Sequence, residues 1–595
     1  MTDTRIKVIN LYKNLQLSKA IRFIWGISPK DTMLSVFFLL LENAGWIGSI
    51  YTLKLLINKL VKPSGANDTH ITNSILLAGS VAILYVCVKS ISVFLTERQA
   101  AVINNSVDKQ IHEHTISLDY ECYEDPVYFD ILKRAREAGV DKPYAIVSGL
   151  YDMFKNLIML ASMGYILISI NWILLPLLTL FVTPVLLVRF KFSKKLYLWQ
   201  REHTGMEREA SYLSSLITAE SSAKEVRSFS LGPHLLNKYS NIKKNILEYQ
   251  LKHNSRRTMV EIGSTAVSTA SFFVVIAYII FGIVNGKTSV GDIAVFLVVF
   301  PQSFSTMQGL SASISTIYQN NRYLSDVFAL FDLKPTIESS VFTPTTNEKA
   351  PNDFTVENLY FKYPHASVNT LENINLTIPA GQIIGLVGLN GAGKSTLIKL
   401  LSRLYDPDQG VIRAGTKDIR EFNINEYRSK VCVVFQDFVR YNLTAKENIW
   451  FGDIYSPMNE ERIKNAAEDS GAASYINDFP DQYNTILGRM FDDGHELSGG
   501  EWQKLAIARV LYSQSQLIIL DEGASALDSI AERELFDNLK QKLGNRSALV
   551  ISHRLSTIQH ANLIYVMKDK TVAEQGTHEA LIKKNGVYAK LYTSQ

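Results

Sequence analysis

The sequence predicts two unlike parts: a bundle of six membrane-spanning helices, followed by an α/β domain built around a phosphate loop. Three observations carry that expectation. Apolar runs of membrane length recur through the first half. Short apolar strands alternate with helical stretches in the second half. Between them, around residues 335–352, lies a segment rich in Pro, Ser and Thr that reads as a linker. A chain of 595 residues is too long for one ordinary core. Its 47% hydrophobic content and mean hydropathy of +0.04 are high for a wholly water-exposed protein of this size.

The spans are expected at roughly 33–57, 74–95, 149–170, 172–190, 262–284 and 292–317. The third and fourth meet at "SINWIL" and read as a tight helical hairpin. Pro176 and Pro184 fall in the fourth, where neighbouring helices can repair the freed carbonyls. An even number of spans puts both chain ends on one side. Within the first half, the segments 1–30, 96–142 and 189–258 carry most of the Lys and Arg, so the positive-inside rule places both ends in the cytoplasm. The first segment is expected to lie along the inner interface as an elbow. Two cytoplasmic excursions of about 50 and 70 residues are too long for loops and read as helices that run on, turn and return. The predicted domains are 1–335 in the membrane, a linker at 336–352 and an α/β domain at 353–595.

Composition removes several function classes. A net charge of +4 without a basic tail gives no argument for nucleic acid. Cys87, Cys122 and Cys432 are too dispersed for a disulfide framework or a metal knuckle, and fit a reducing compartment. The N-terminus lacks the continuous apolar run and cleavage site of a signal peptide.

The chemistry lies in the second half. "GLVGLNGAGKST" begins at Gly385, after an apolar strand and before a helical stretch, and residues 388–395 satisfy the phosphate-loop spacing. Its backbone N–H groups, including those around Gly388, Asn390, Gly391, Gly393 and Thr396, suit phosphates. Lys394 suits the β and γ phosphates, and the Ser395 hydroxyl suits Mg²⁺. Downstream, a buried strand in "QLIILDEGASALD" delivers Asp521 and Glu522 at its C-terminal end, where parallel sheets hold ligands. Asp521 suits Mg²⁺ through water, and Glu522 suits an attacking water. Alone, two acids at a strand end read equally well as solvated surface; beside a phosphate loop the chemical reading wins. A second glycine-rich helix start, "GHELSGGEWQK" at 494–504, also exposes backbone N–H groups to an anion.

The phosphate loop, "LSGGE" at 497–501, "LDEGASALD" at 520–528 and "VISHR" at 550–554 come in an order that resembles the nucleotide-binding domain of ATP-binding cassette (ABC) proteins. With six spans upstream, the whole chain is similar to exporter half-transporters. The resemblance implies a RecA-like core with an antiparallel β subdomain and a helical subdomain, ATP and Mg²⁺ as cofactors, and a homodimer. It implies that Tyr363 stacks on adenine, Gln436 joins Mg²⁺, Glu522 and His553 act at the γ-phosphate, and Asp528 reaches across the dimer. Ser498, Gly499 and Gly500 then face the γ-phosphate held by the other copy, which explains two phosphate-facing helix starts in one chain. The sequence departs from the family at Glu501, where glutamine is usual, and at Gly523, where proline is commoner.

Cargo is less sharply marked. Trp502, "VFQDFVRYNLTAKENI" and "YEDPVYFDILKRAREAG" resemble bacterial exporters of lantibiotics and other ribosomally made peptides. Lipid, glycolipid or multidrug export is the alternative, and an ATP-gated regulator or channel the third reading. The implied setting is a bacterial cytoplasmic membrane, with membrane lipid and a peptide or small amphipathic substrate as further partners. Coupling helices are expected near Asp125–Asp130 and at 223–232. The stretch before the first span is too short for a leader peptidase, so another protein is expected to remove any leader. The last span is rich in Ser, Thr and Gln, from Gln302 to Thr316, and reads as a cavity wall or as close helix packing. Glu42 lies inside the first span, with Lys89 of the second as its expected partner.

Overall fold

The computed structural model describes residues 17–593, apart from 62–67, most of 126–141 and of 177–202, 285–288, 338–352, 365, 522–528 and 553. It divides into two compact units: Met1–Ser117 with Pro126–Lys334, and Leu118–Asp125 with Pro335–Gln595. The helices of the first half are α1 (Leu17–Ile27), α2 (Pro29–Val61), α3 (Asp68–Ser117), α4 (Tyr120–Glu124), α5 (Lys142–Ile170), α6 (Thr204–Thr218), α7 (Glu220–Ser228), α8 (Gly232–Val284) and α9 (Val290–Asp332). All but α4 belong to the first unit.

Five described helices are long and apolar enough to cross a membrane: Pro29–Val61, Ile71–Ser117, Tyr144–Ile170, Gly232–Ile283 and Val290–Ile317. The expected span at 172–190 lies largely outside the described residues. The helices α3 and α8 have 50 and 53 residues. At about 1.5 Å per residue each is more than twice the hydrocarbon thickness of a bilayer, so both run on beyond it as the excursions require. The second excursion turns at α7, within the stretch marked as a coupling segment. Leu40, Phe37, Ile83, Phe94, Phe273 and Phe281 are exposed on the outer helix faces, as lipid contact demands.

Inside this unit, Trp46, Ile50, Met159, Met163, Leu167, Val275, Phe296 and Phe300 form a shared apolar core. Small residues set how closely helices approach. A Cβ on Gly45 would stand 3.5 Å from Tyr85, and one on Gly149 would stand 3.2 Å from Ile317. The polar residues of α9 divide between the two roles open to them. Ser303, Thr306 and Ser313 are buried. Their hydroxyls donate to the carbonyls of Val299, Gln302 and Gly309, one turn earlier. Those three serve packing against α5, while Ser305 is exposed.

The second unit holds two sheets. A four-stranded antiparallel sheet has the order β2 (Leu371–Ile378), β1 (Phe354–Phe361), β4 (Gln409–Ala414), β5 (Lys417–Asp418). A six-stranded sheet has the order β10 (Thr571–Gly576), β9 (Leu563–Lys568), β3 (Ile383–Gly388), β8 (Ser547–Ile551), β7 (Leu517–Asp521), β6 (Val431–Val434). Its strands are parallel except for the terminal hairpin. The interior strands β7 and β8 are buried along their whole length, as strands covered on both faces must be. A separate apolar cluster gathers Ala445, Ile449, Ile463, Ile476, Leu487, Leu505 and Trp502 into a helical subdomain.

Trp502 is 2% exposed in that cluster. Trp502→Ala should destabilise the helical subdomain by about 3–5 kcal/mol. Hydrogen exchange on the full chain checks this: amide protection should fall across 445–512 while β3, β7 and β8 keep theirs.

Candidate functional site

Strand register brings the predicted site residues to one edge of the six-stranded sheet. Leu386 of β3 pairs with Ile551 of β8, Ile551 pairs with Asp521 of β7, and Val434 of β6 pairs with Leu520. These strands are parallel, so the segments that follow them emerge side by side: the loop 388–393, Gln436, Asp521 and Ser552. That is the carboxyl edge, where open α/β sheets hold ligands. Glu522, Asp528 and His553 lie outside the described residues, though Asp521 and Ser552 directly precede two of them in the chain.

The loop runs from Gly388 into the helix α10 (Lys394–Leu401). Gly393 has φ +98°, left-handed backbone that side chains avoid. A Cβ on Gly388 would stand 2.4 Å from the carbonyl oxygen of Met567, so only glycine lets the loop lie this close to β9. Asn390 and Gly391 are exposed at the tip. The Lys394 ammonium curls back over the loop, donating to the carbonyls of Gly388 at 2.8 Å and Leu389 at 3.2 Å. Ser395 is exposed at the first turn of α10, whereas Thr396 is buried and shares a 3.1 Å hydrogen bond with the Tyr363 hydroxyl. A cavity of about 440 Å³ is lined by Gly388, Leu389, Asn390, Ser552, Leu555 and Leu591. The Asp521 side chain is 5% exposed at the end of β7. Gln436 is exposed two residues beyond β6.

The second glycine-rich start opens the helix α11 (Gly499–Tyr512), with Ser498 as its N-cap. Ser498 and Glu501 form a reciprocal capping box. The Glu501 carboxylate accepts the Ser498 backbone N–H at 2.7 Å, and the Ser498 oxygen accepts the Glu501 N–H at 3.3 Å. The unusual glutamate is thus engaged in holding the helix start. Ser498 and Gly499 are exposed there.

One cluster escaped sequence reasoning. Glu124 of α4 lies 2.6 Å from the Lys399 ammonium and accepts a hydrogen bond from the Tyr405 hydroxyl. Lys399 also sits over the rings of Tyr363 and Tyr120, at 5.3 and 5.4 Å from their centroids. The segment Leu118–Asp125 belongs to this unit, and Asp119 reinforces it by accepting from the Thr336 hydroxyl at 2.8 Å. The expected coupling stretch near Asp125–Asp130 lies mostly outside the described residues; Glu124, just before it, makes these contacts. No local pattern could reveal a contact spanning 275 residues of sequence. Burial raises the Glu124 carboxyl, but hydrogen bonds from Lys399 and Tyr405 outweigh it and hold the group below the usual range. Burial lowers the Lys399 ammonium, but Glu124 outweighs it and holds the group above its usual value.

Comparison with known proteins agrees with this geometry. Residues 371–525 match the family model described as ABC transporter, and residues 144–307 match the one described as ABC transporter transmembrane region. A subtilin transport ATP-binding protein of Bacillus subtilis is 30% identical over 587 residues, 98% of this chain and 94% of the relative. A nisin transport ATP-binding protein of Lactococcus lactis subsp. lactis is 27% identical over 555 residues, covering 92% and 91%. The solved structure of a bacterial Atm1-family ABC exporter with ATP bound shares the fold with a TM-score of 0.77, at 22% identity, over 96% of this chain and 99% of that one.

Two outcomes follow from the charges. The Glu124 contribution is complete above about pH 5 and fades as pH falls through its depressed folded value; that of Lys399 is complete below about pH 10 and fades as pH rises through its raised one. Glu124→Gln should therefore lower the melting temperature of the full chain throughout that window, with the gap to the parent closing in stronger acid and in stronger base. Glu501→Gln keeps an oxygen to cap Ser498 but gives up its charge, so stability should fall by about 0.3–1 kcal/mol. It removes a negative charge from an anion-facing helix start. The ATP concentration giving half-maximal hydrolysis should fall, as a coupled ATPase assay will register.

Proposed function

The chain belongs to the ABC transporter family as an exporter-type half-transporter, and on that premise we propose that two copies export a peptide across a bacterial cytoplasmic membrane. It is a transporter ATPase, and ATP drives it. The observation that supports the pairing is the presence of two unlike glycine-rich helix starts, those of α10 and α11, in one chain. A paired arrangement gives each an anion: the loop of one copy holds the phosphates, and Ser498 and Gly500 of the other close over the γ-phosphate. Two matched sites follow, each with residues from both chains. The peptide cargo is supported by relatedness along nearly the whole chain to proteins named for subtilin and nisin transport.

Each residue then has a defined part. Backbone N–H groups of 388–393 bind phosphate oxygens, and Lys394 leaves the Gly388 and Leu389 carbonyls to bind the β and γ phosphates. Tyr363 stacks on adenine. Glu522 orients the attacking water and accepts its proton, His553 contacts the γ-phosphate, and Asp528 braces the second copy. The oxygens of Ser395, Asp521 and Gln436 fit a hard cation and would hold Mg²⁺. When bound, that ion neutralises charge on the transferring phosphoryl group. Adhesion by ATP and release on hydrolysis provide the two states that alternate.

Glu522→Gln in lipid nanodiscs should cut ATP hydrolysis by about 10²-fold or more and trap an ATP-bound pair visible by native mass spectrometry. A variant that binds ATP yet stays monomeric sinks the shared site. For cargo, a panel of peptides and lipids should raise ATP turnover of the parent protein with peptides and leave it unmoved by lipid headgroup. Stimulation by lipid alone moves the assignment to lipid export.

A further inference from the structure

The membrane unit contains a charge cluster that helix packing does not explain. Glu42 of α2 is 4% exposed. Its partner is Lys155 of α5, with Oε1 2.8 Å from the ammonium, rather than Lys89, which is exposed on α3. The sequence favoured Lys89 because it lies on the next helix at similar depth; the close approach of α5 prevails. The second oxygen of Glu42, Oε2, is buried and has no hydrogen-bond partner among the described residues. Asp152, one turn before Lys155, interacts electrostatically with both Glu42 and Lys155. Tyr85 of α3 does the same and packs against α2 at Gly45, and Tyr151 shares a hydrogen bond with Ser92 of α3.

Asp152 itself is exposed, so the ion pair is Glu42 and Lys155 alone. A purely structural ion pair in a low-dielectric interior is stable when its remaining lone pairs are answered. Asp292 of α9 illustrates this in the same unit: Lys54 lies 2.6 Å from Oδ1, and the Ser289 backbone and hydroxyl both donate to Oδ2 at 2.8 Å. The Glu42–Lys155 pair instead leaves one buried carboxylate oxygen, Oε2, without a donor among the described residues. An inorganic ion needs more oxygen ligands, and among the described residues no group of three acids, histidines or cysteines could hold a metal. An ammonium group needs only a carboxylate and an aromatic wall such as Tyr85.

We propose that Glu42 is the acceptor for an organic ammonium group of the exported substrate, supplied by a lysine side chain or terminal amine of a peptide. This rests on the reading of the chain as an exporter. Lys155 holds the carboxylate while α2 and α5 are joined. When the helices part, Oε2 becomes reachable and the substrate ammonium binds there. The ligand favours the parted state because it binds only there.

The test uses the full-length protein in nanodiscs and measures ATPase stimulation relative to each variant's own unstimulated rate. The probes are a lysine-bearing peptide and its fully acetylated form, and an alkylammonium amphiphile and the alcohol of equal chain length. The cationic member of each pair should stimulate the parent. In Glu42→Gln the half-stimulating concentration of the cationic peptide should rise about tenfold or more, the loss of one charged contact. Glu42→Gln leaves Lys155 buried and unpaired, so Glu42→Gln/Lys155→Gln, which removes both charges, guards against misfolding and should show the same loss. Equal stimulation by native and acetylated peptide, or a full cationic response in the double variant, overturns the proposal. So does a Glu42-dependent response to sodium or potassium salt without any organic probe. Glu42-dependent stimulation by the amphiphile alone keeps the ammonium site and removes the peptide reading.

Discussion

The soluble unit depends on one constraint: β3, β8, β7 and β6 are parallel and in register, so they stop along a common edge. The row Leu386, Ile551, Asp521 is fixed by backbone hydrogen bonds deep in an apolar sheet. A shift of one residue in any strand would turn its buried side chains to the other face. The phosphate loop, the Gln436 turn, Asp521 and Ser552 inherit their proximity from that row. The chemistry sits on short segments while the positional accuracy comes from strands that touch nothing reactive. Close contact between Gly388 and Met567 adds a second limit, since it holds the loop against β9.

What was legible in the sequence follows from the range of the interaction responsible. The phosphate loop, the acidic strand end and the Ser498 helix start are local: their chemistry needs consecutive residues, so spacing alone displays them. Strand alternation and apolar runs display the two fold classes for the same reason. Contacts set by tertiary approach were invisible. The Glu124–Lys399 pair joins distant segments, and nothing in "YECYE" or "STLIKLL" announces it. The Glu42 partner was misjudged because depth along a helix can be counted from sequence, whereas rotation toward a neighbour cannot. Trp502 shows the reverse: a residue that resembles a subgroup marker is, physically, the centre of a small core.

Glu501 shows how a departure from a family pattern can be absorbed. The position has two demands, to cap α11 and to tolerate an anion nearby. Glutamine meets both with an amide. Glutamate caps more strongly, through a charge-assisted hydrogen bond to the Ser498 N–H. It also brings a negative charge toward the surface where a phosphate is expected. Structural stability and anion affinity are thus set against each other at a single side chain.

The two units face opposite solvation problems, and their polar side chains show it. In water, the exposed groups at the sheet edge bear no penalty while they wait for a ligand, so Asn390, Gln436 and Ser498 can remain exposed. Among packed membrane helices, a polar group must find its partner inside the protein. Ser303, Thr306 and Ser313 do so within their own helix, bonding carbonyls one turn back. Glu42 cannot, because a carboxylate accepts but does not donate and the carbonyls of α2 offer it nothing. It needs a donor from another helix, and among the described residues Lys155 reaches one oxygen of two. In the proposed substrate site, that remaining oxygen is what would compensate an incoming ammonium group for leaving water.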